Sequence, residues 1–325
     1  MLKNYHEFIS KNNFDLGLQM GRAFRRASQM RLTRQKRIRT WRQQIEMAKK
    51  FIPPTKKYFP HLLEEFRGYA LGAQINFEEL WAANMEDELF GYEKCTTVIT
   101  NNGKLIAHSE DAYVNKEKNE ICLLKKTLGG LTIFEIFYLN TLGGNAISIN
   151  SHGVVQSANT VYPDKHKIGV PKNILARWLS ETKNPLEAAV KLKTIKRSGG
   201  YNYNFTDLSG KIVNIEYTCD KISVSQPSSP FVHTNQYLSG LRKFDAYPWK
   251  SSPFRYDFAK KHAREQMPLE AVKRLLCDVS SGKNSVRNIF TVADAIFDLK
   301  KRAAYIWLLR ENEKGFVKFD LNFLR

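Results

Sequence analysis

Over the first ninety or so positions the apolar residues repeat every three or four places, the period of a helix that buries one face. Leu16, Met20, Phe24 and Met30 form one such series, and Ile38, Trp41, Ile45, Met47 and Phe51 a second. Pro53 and Pro54 are expected to stop that run. Pro60 can open the next helix, with Leu62, Leu63, Phe66 and Ala70 on one side. Asn76 has the form of an N-cap, with Glu79 at the capping-box position, and predicts a helix through Trp81 to Leu89. This block carries almost no strand signal.

The pattern changes at Cys95. Short β-type runs now alternate with Gly and Asn turns. Cys95 to Thr100 reads as a strand, Asn101-Asn102-Gly103 as a tight turn, and Leu105 onward as the returning partner. Leu131 to Tyr138, Ala146 to Asn150 and Gly153 to Asn159 continue the series. Lys172 to Lys196 is a helical interlude, and strands resume at Tyr201 to Phe205 and Lys211 to Tyr217. Tyr256 to Ala263 and Leu269 to Cys277 read as helices. The end, Thr291 to Val317, returns to strands around Ala303 to Leu309. A helical prefix, then strands, a helix layer and more strands predicts an α+β sandwich.

The 325 residues allow a sizeable core, and a hydrophobic content of 42% is that of a globular chain. The net charge of +19 changes the picture at one place. Between Arg22 and Lys50 a dense basic run, including Arg31, Arg34, Arg37 and Arg39, faces the single acid Glu46. Such a run could attract a polyanion or a membrane surface, or form a solvated helix face. No nucleic-acid module accompanies it, so no nucleic acid is expected as a partner. The cysteines Cys95, Cys122, Cys219 and Cys277 form no CxxC pair, and His108 and His152 lack metal-site spacing, so no metal is expected. The amino terminus lacks the apolar core of a signal peptide. There is no apolar run of about eighteen residues, and a cytoplasmic location is expected.

A cysteine opening a strand is a weak signal alone, because free Cys is commonly a core residue. Its company matters more. Asp111 ends the returning strand, in His108-Ser109-Glu110-Asp111, where antiparallel pairing would bring a carboxylate toward the Cys95 backbone nitrogen. Asn159 ends a later strand. Asn235 lies in His233-Thr234-Asn235, and Arg255 follows Ser251-Ser252-Pro253-Phe254. A thiol, a carboxylate, two amides and a guanidinium are the parts that acyl transfer needs: nucleophile, orienter, oxyanion donors and charge stabiliser.

These residues, with Glu65-Phe66-Arg67-Gly68-Tyr69, Cys95-Thr96-Thr97, Gly143-Gly144-Asn145, Asn150 to Val155, Gly169-Val170-Pro171, Arg177, Asp207 to Gly210 and Glu216, form an ordered set over most of positions 15 to 260. The set resembles the acyl-coenzyme A:6-aminopenicillanic-acid acyltransferase family, of the N-terminal-nucleophile hydrolase superfamily and related to choloylglycine hydrolases. That resemblance implies a four-layer αββα sandwich and self-cleavage between Lys94 and Cys95. Residues 1–94 would become an α fragment and 95–325 a β fragment, associated as one globular unit. It implies that the new α-amine of Cys95 serves as base, that Asp111 holds this amine, that Asn235 donates to the oxyanion and that Arg255 favours the thiolate. Asn159, with Thr96 and Glu110, would contact substrate.

The substrate so implied is a small N-acyl amine or acyl donor. Acyl-coenzyme A is admitted as a donor, although no phosphate-cradling glycine loop supports it, and no cofactor is expected. His233 is expected to be structural, because the α-amine would do a histidine's work. Two departures stand out: Lys94 occupies a place where penicillin-forming relatives have glycine, and Glu110 adds a second carboxylate. The rival reading is a catalytically silent relative whose basic prefix binds a polyanion or membrane surface.

Overall fold

Asn and Gly tolerate the left-handed backbone that a tight turn demands. Asn101, Asn102 and Gly103 accordingly take φ of 56°, 54° and 74°, folding β2 (Lys94–Thr100) back onto β3 (Leu105–Asp111). The computed structural model describes residues 2–85, 94–112, 120–246 and 251–324. In it this hairpin lies inside a six-stranded sheet, with β11 (Phe231–His233) beside β2. On the other side β12 (Thr291–Asp298), β13 (Ala303–Leu308) and β14 (Val317–Asp320) follow β3.

The second sheet has eight strands in the order β1-β4-β5-β6-β7-β8-β9-β10. They are β1 (Tyr5–Ser10), β4 (Ile121–Leu128), β5 (Leu131–Tyr138), β6 (Ile147–Asn150), β7 (Val155–Asn159), β8 (Tyr201–Thr206), β9 (Ile212–Tyr217) and β10 (Ile222–Ser225). Here the prefix departs from the sequence reading, since it is not all helical. β1 pairs in parallel with β4, Tyr5 facing Leu123 and Ser10 facing Leu128. Its residues are mostly half-buried or exposed, so the chain shows no clean alternation there.

Three apolar seams stack these parts into helix, sheet, sheet and helix layers. Leu16, Phe66, Trp81 and Leu175 from the helices pack with Leu124, Tyr203 and Ile215 of the eight-stranded sheet. Phe134, Ile136 and Ile149 of that sheet meet Ile99, Ile106, Ala295 and Phe297 of the other. Val98, Leu105 and Ala107 then pack under α8 (Ser251–His262) and α9 (Leu269–Leu276) through Ala259, Val272 and Leu276. The expected αββα sandwich is therefore the observed one.

The first helix layer holds α1 (Asn13–Gln35), α2 (Trp41–Lys49), α3 (Ile52–Tyr58), α4 (Pro60–Ala73) and α5 (Phe77–Asn84), with α6 (Lys172–Leu179) and α7 (Pro185–Thr194). The run stops before Pro53 and Pro54 as expected, α2 ending at Lys49, and the two prolines also lie in the first turn of α3, where the missing N–H would have no partner anyway. Asn76 caps α5 as expected, its Oδ1 accepting from the N–H groups of Glu78 and Glu79 at 2.9 and 3.2 Å. The rest of that expected helix, 86–89, lies outside the described residues.

Gly17 and Gly21 of α1 lie against Gly68 and Gly72 of α4, and a Cβ at any of them would run into the facing backbone. The prefix is further tied in by charge. Glu65 of α4 accepts two bonds from Arg177 of α6, each 3.0 Å, and both side chains are fully buried.

Much of the basic run is solvated, with Arg22, Arg26, Arg37, Arg39 and Arg42 exposed. Arg31 turns inward, donating to the Leu139 carbonyl at 2.9 Å and lying 3.3 Å from Glu120. Lys36 pairs with Glu79 at 2.7 Å. Among the described residues, no helix is long and apolar enough to cross a membrane.

Candidate active site

Side chains along a strand alternate between its two faces, and residues directly opposite on an antiparallel partner share a face. Ile99 and Ile106 belong to the seam between the sheets, while Val98, Leu105 and Ala107 lie on the helix side. By the same parity Cys95, Thr97, His108 and Glu110 point between the sheets, and Thr96, Ser109 and Asp111 toward the helices. The register sets Cys95 opposite Glu110 and Thr97 opposite His108. Four polar side chains thus form a square between the sheets.

Hydrogen bonds join the square. Cys95 Sγ lies 3.5 Å from Glu110 Oε2 as donor, and the same oxygen is 2.7 Å from His108 Nε2. Tyr138, from the facing sheet, donates its hydroxyl to Glu110 Oε1 at 2.7 Å. His108 Nδ1 is 2.9 Å from Thr97 Oγ1, and Thr97 donates to Asn159 Oδ1 at 2.8 Å. Asn204 Nδ2 reaches that same Oδ1 at 2.8 Å. Asn159 is fully buried with both oxygen contacts filled, and among the described residues its Nδ2 donor has no partner. Such a donor suits a carbonyl or a developing oxyanion.

On the helix side Arg255 of α8, fully buried, organises the main chain at Cys95. Its Nη1 donates to the Cys95 carbonyl at 2.6 Å and to Thr96 Oγ1 at 2.9 Å, and its Nη2 to Asn235 Oδ1 at 2.6 Å. Asn235 follows the short strand β11. It is fixed by Ser252, whose Oγ accepts its N–H at 2.8 Å, and by its own Nδ2 on the Thr160 carbonyl at 2.9 Å. Its Oδ1 also accepts the Cys95 N–H at 2.9 Å.

Two expectations change here. The contact with the Cys95 nitrogen belongs to Asn235 and not to Asp111, which lies opposite Lys94 on the other face from the thiol. Asn235 also meets Cys95 with its oxygen rather than with an amide donor. Asp111 accepts bonds from Thr291 Oγ1 at 2.6 Å and Asn288 Nδ2 at 2.7 Å. Burial pushes its carboxyl up to about 7 against the opposing pull of Arg255 and of these two donors.

His233 is buried and hydrogen-bonded at both ring nitrogens, with Nδ1 2.6 Å from the Thr234 carbonyl oxygen and Nε2 2.9 Å from Glu216 Oε1. Burial would raise the Glu216 carboxyl, but His233 and the Leu238 N–H hold it down at about 2. Cys122 and Cys219 are buried and Cys277 half-buried.

Cys95, Glu110, Asp111, Asn235 and Arg255 thus gather around one hairpin end, with Thr96 beside Arg255 and Asn159 reached through Thr97. Lys94 enters through its backbone position in β2. The sequence reading missed His108, Thr97 and Tyr138. The alternation along His108-Ser109-Glu110 carried a signal for the first, since it puts His108 and Glu110 on one face. Cys95, His108 and Glu110 offer ligand atoms within 4.8 Å of one another, the one group among the described residues with a metal-like donor set. These atoms hydrogen-bond each other, and we read them as a proton-sharing set rather than a metal site.

A profile of the acyl-coenzyme A:6-aminopenicillanic acid acyl-transferase family matches residues 98–313, about two thirds of the chain. The chain belongs to this family. The match opens three residues after Cys95 and takes in Asp111, Asn159, Asn235 and Arg255. Within the broader set of similar proteins, a β-alanyl-dopamine/carcinine hydrolase of Drosophila melanogaster is 27% identical over 180 residues. The matched region is 47% of this chain and 46% of that relative, so the chain spans about half the length of the curated relative it matches. A mutant conjugated bile acid hydrolase of Clostridium perfringens superposes with a TM-score of 0.46 at 15% identity, covering 72% of this chain and 93% of that one. Penicillin V acylase of Agrobacterium tumefaciens gives 0.41 at 12% identity, covering 66% and 83%.

Proposed function

We propose that this member of the acyltransferase family is a cysteine amidohydrolase or acyltransferase acting on linear N-acyl amines. Its nucleophile is Cys95, freed by self-cleavage after Lys94. The observation that carries the reading is the clamp on Cys95: Arg255 on its carbonyl, Asn235 Oδ1 on its nitrogen and a carboxylate at its sulfur.

Cleavage converts that nitrogen from an amide into an α-amine, which titrates near 8 in an unperturbed chain and can accept the thiol proton at neutral pH. Asn235 Oδ1 would then hold the amine so that its lone pair faces the sulfur. The thiolate adds to the substrate carbonyl, and Asn159 Nδ2 offers the oxyanion a donor. The C–N bond breaks as the amine leaves with a proton, and the resulting thioester passes its acyl group to water or to a second amine. The buried Glu65–Arg177 pair and the strand β1 would keep residues 1–94 attached to 95–325 after the cut.

The named activity of the Drosophila relative makes β-alanyl amines the first substrates to try, carcinine and β-alanyl-dopamine among them. Amine release by the parent protein, lost in Cys95→Ala and accompanied by an acyl adduct on the Cys95 peptide, is the expected result. Turnover unchanged in Cys95→Ala would overturn the proposal.

A further inference from the structure

In the uncut chain the Cys95 nitrogen belongs to a peptide bond and cannot take a proton from the sulfur. If self-cleavage begins with attack by that sulfur, another group must act as base. We propose that Glu110, backed by His108, is the proton acceptor that activates Cys95 for its own maturation. This rests on the self-cleavage reading above and assigns Glu110 a role other than substrate contact.

The geometry carries the assignment. Glu110 is fully buried, and its Oε2 lies 3.5 Å from Cys95 Sγ, the thiol being the donor. Its other oxygen is anchored by the Tyr138 hydroxyl at 2.7 Å, so the carboxylate cannot turn away without giving up that bond. Thr97 has one hydroxyl proton and gives it to Asn159 Oδ1, an atom that only accepts. The His108 Nδ1 contact with Thr97 Oγ1, 2.9 Å long, therefore carries a proton from the ring. His108 Nε2 and Glu110 Oε2 are 2.7 Å apart, and two bare acceptors would repel at that distance, so one proton lies between them. The pair thus shares one proton, and the Glu110 oxygen that faces it also accepts from sulfur.

The step balances. The thiol proton moves to Glu110, leaving a thiolate whose charge is offset by the added proton on the Glu110–His108 pair. The thiolate adds to the Lys94 carbonyl carbon, and the C–N bond to Cys95 breaks as that nitrogen receives the proton from Glu110. Water then adds to the thioester and the sulfur leaves with a proton. The products are a Lys94 carboxylate and a Cys95 that bears both thiol and α-amine. Glu110 ends as it began.

The test is the rate of cleavage of freshly translated full-length chain, followed by intact mass across pH 5 to 9, for the parent, Glu110→Gln, Glu110→Asp and Cys95→Ala. A general base is worth about a hundred- to ten-thousandfold. Glu110→Gln should therefore mature at least a hundredfold more slowly across this range. Glu110→Asp should recover part of the rate. Glu110→Gln maturing at the parental rate would overturn the proposal. A parent chain that stays uncut would refute the self-cleavage reading instead. The base is then read from iodoacetamide labelling of Cys95 in that uncut chain, located by peptide mass. At least tenfold slower labelling in Glu110→Gln at pH 7 supports the role, and equal labelling refutes it.

Discussion

Asp111 is a carboxyl buried between β3 and the helix side of its sheet, and its titration makes a stability prediction with a definite sign. In the folded chain it keeps its proton up to about pH 7, because burial outweighs the favourable pull of Arg255, Thr291 and Asn288. In an unfolded chain an aspartate loses its proton near its ordinary value of 3.8. Between those limits the folded state binds the extra proton, so stability falls as pH rises, by about 1.4 kcal/mol per unit. The accumulated cost by pH 7 is about 4 kcal/mol. Asp111→Asn removes the titration, although its amide cannot satisfy both Thr291 and Asn288 as the carboxylate does. The difference in stability between variant and parent should therefore shift in favour of the variant by about 4 kcal/mol from pH 4 to pH 7.5. A chain of 325 residues has an unfolding entropy of about 0.7 kcal/mol/K, so the relative shift in Tm is about 6 °C. Scanning fluorimetry in a Cys95→Ala background keeps every molecule in one covalent state. If the Tm difference between the two proteins stays within about 1 °C over this range, the burial argument for Asp111 is wrong.

Two further outcomes follow from contacts elsewhere in the site and its support. Arg177→Met leaves Glu65 buried without its two-bond partner and should cost about 3–5 kcal/mol, read as a lowered urea midpoint; a loss under 1 kcal/mol would mean that the pair does not hold the prefix. Asn159→Asp keeps an acceptor for Thr97 and Asn204 but deletes the unpartnered donor, so kcat/KM for amide hydrolysis should fall about a hundredfold or more with Tm little changed, whereas unaltered kinetics would remove Asn159 from the oxyanion site.

The hairpin around Cys95 was legible because its chemistry is local: Asn101-Asn102-Gly103 specifies the turn, and turn length fixes which residues face each other. The helical prefix was legible for the same reason, except at Tyr5–Ser10. That strand is defined by its parallel partner β4, a neighbour more than a hundred positions away, and six residues with mixed exposure show no periodicity of their own. Pro53 and Pro54 mark the end of one helix, but that they also open α3 was not legible, because a proline breaks a helix interior and suits a first turn equally well. In the site, residue types identified the cast but not the pairings. Asp111 and Glu110 are adjacent in sequence, and a one-residue difference in register exchanges their faces. The pairing of Cys95 with Glu110 therefore depended on where the hairpin closes. The Tyr138 and Asn159 contacts join separate sheets, and no spacing along the chain encodes them.

The account depends most on Cys95 becoming a chain terminus. Intact mass of freshly purified full-length protein beside Cys95→Ala tests this directly. The account predicts two fragments from the parent, with masses that place the break between Lys94 and Cys95, and a single chain of full mass from the variant. An uncut parent that still hydrolyses N-acyl amines, or a variant cut at the same bond, would contradict it.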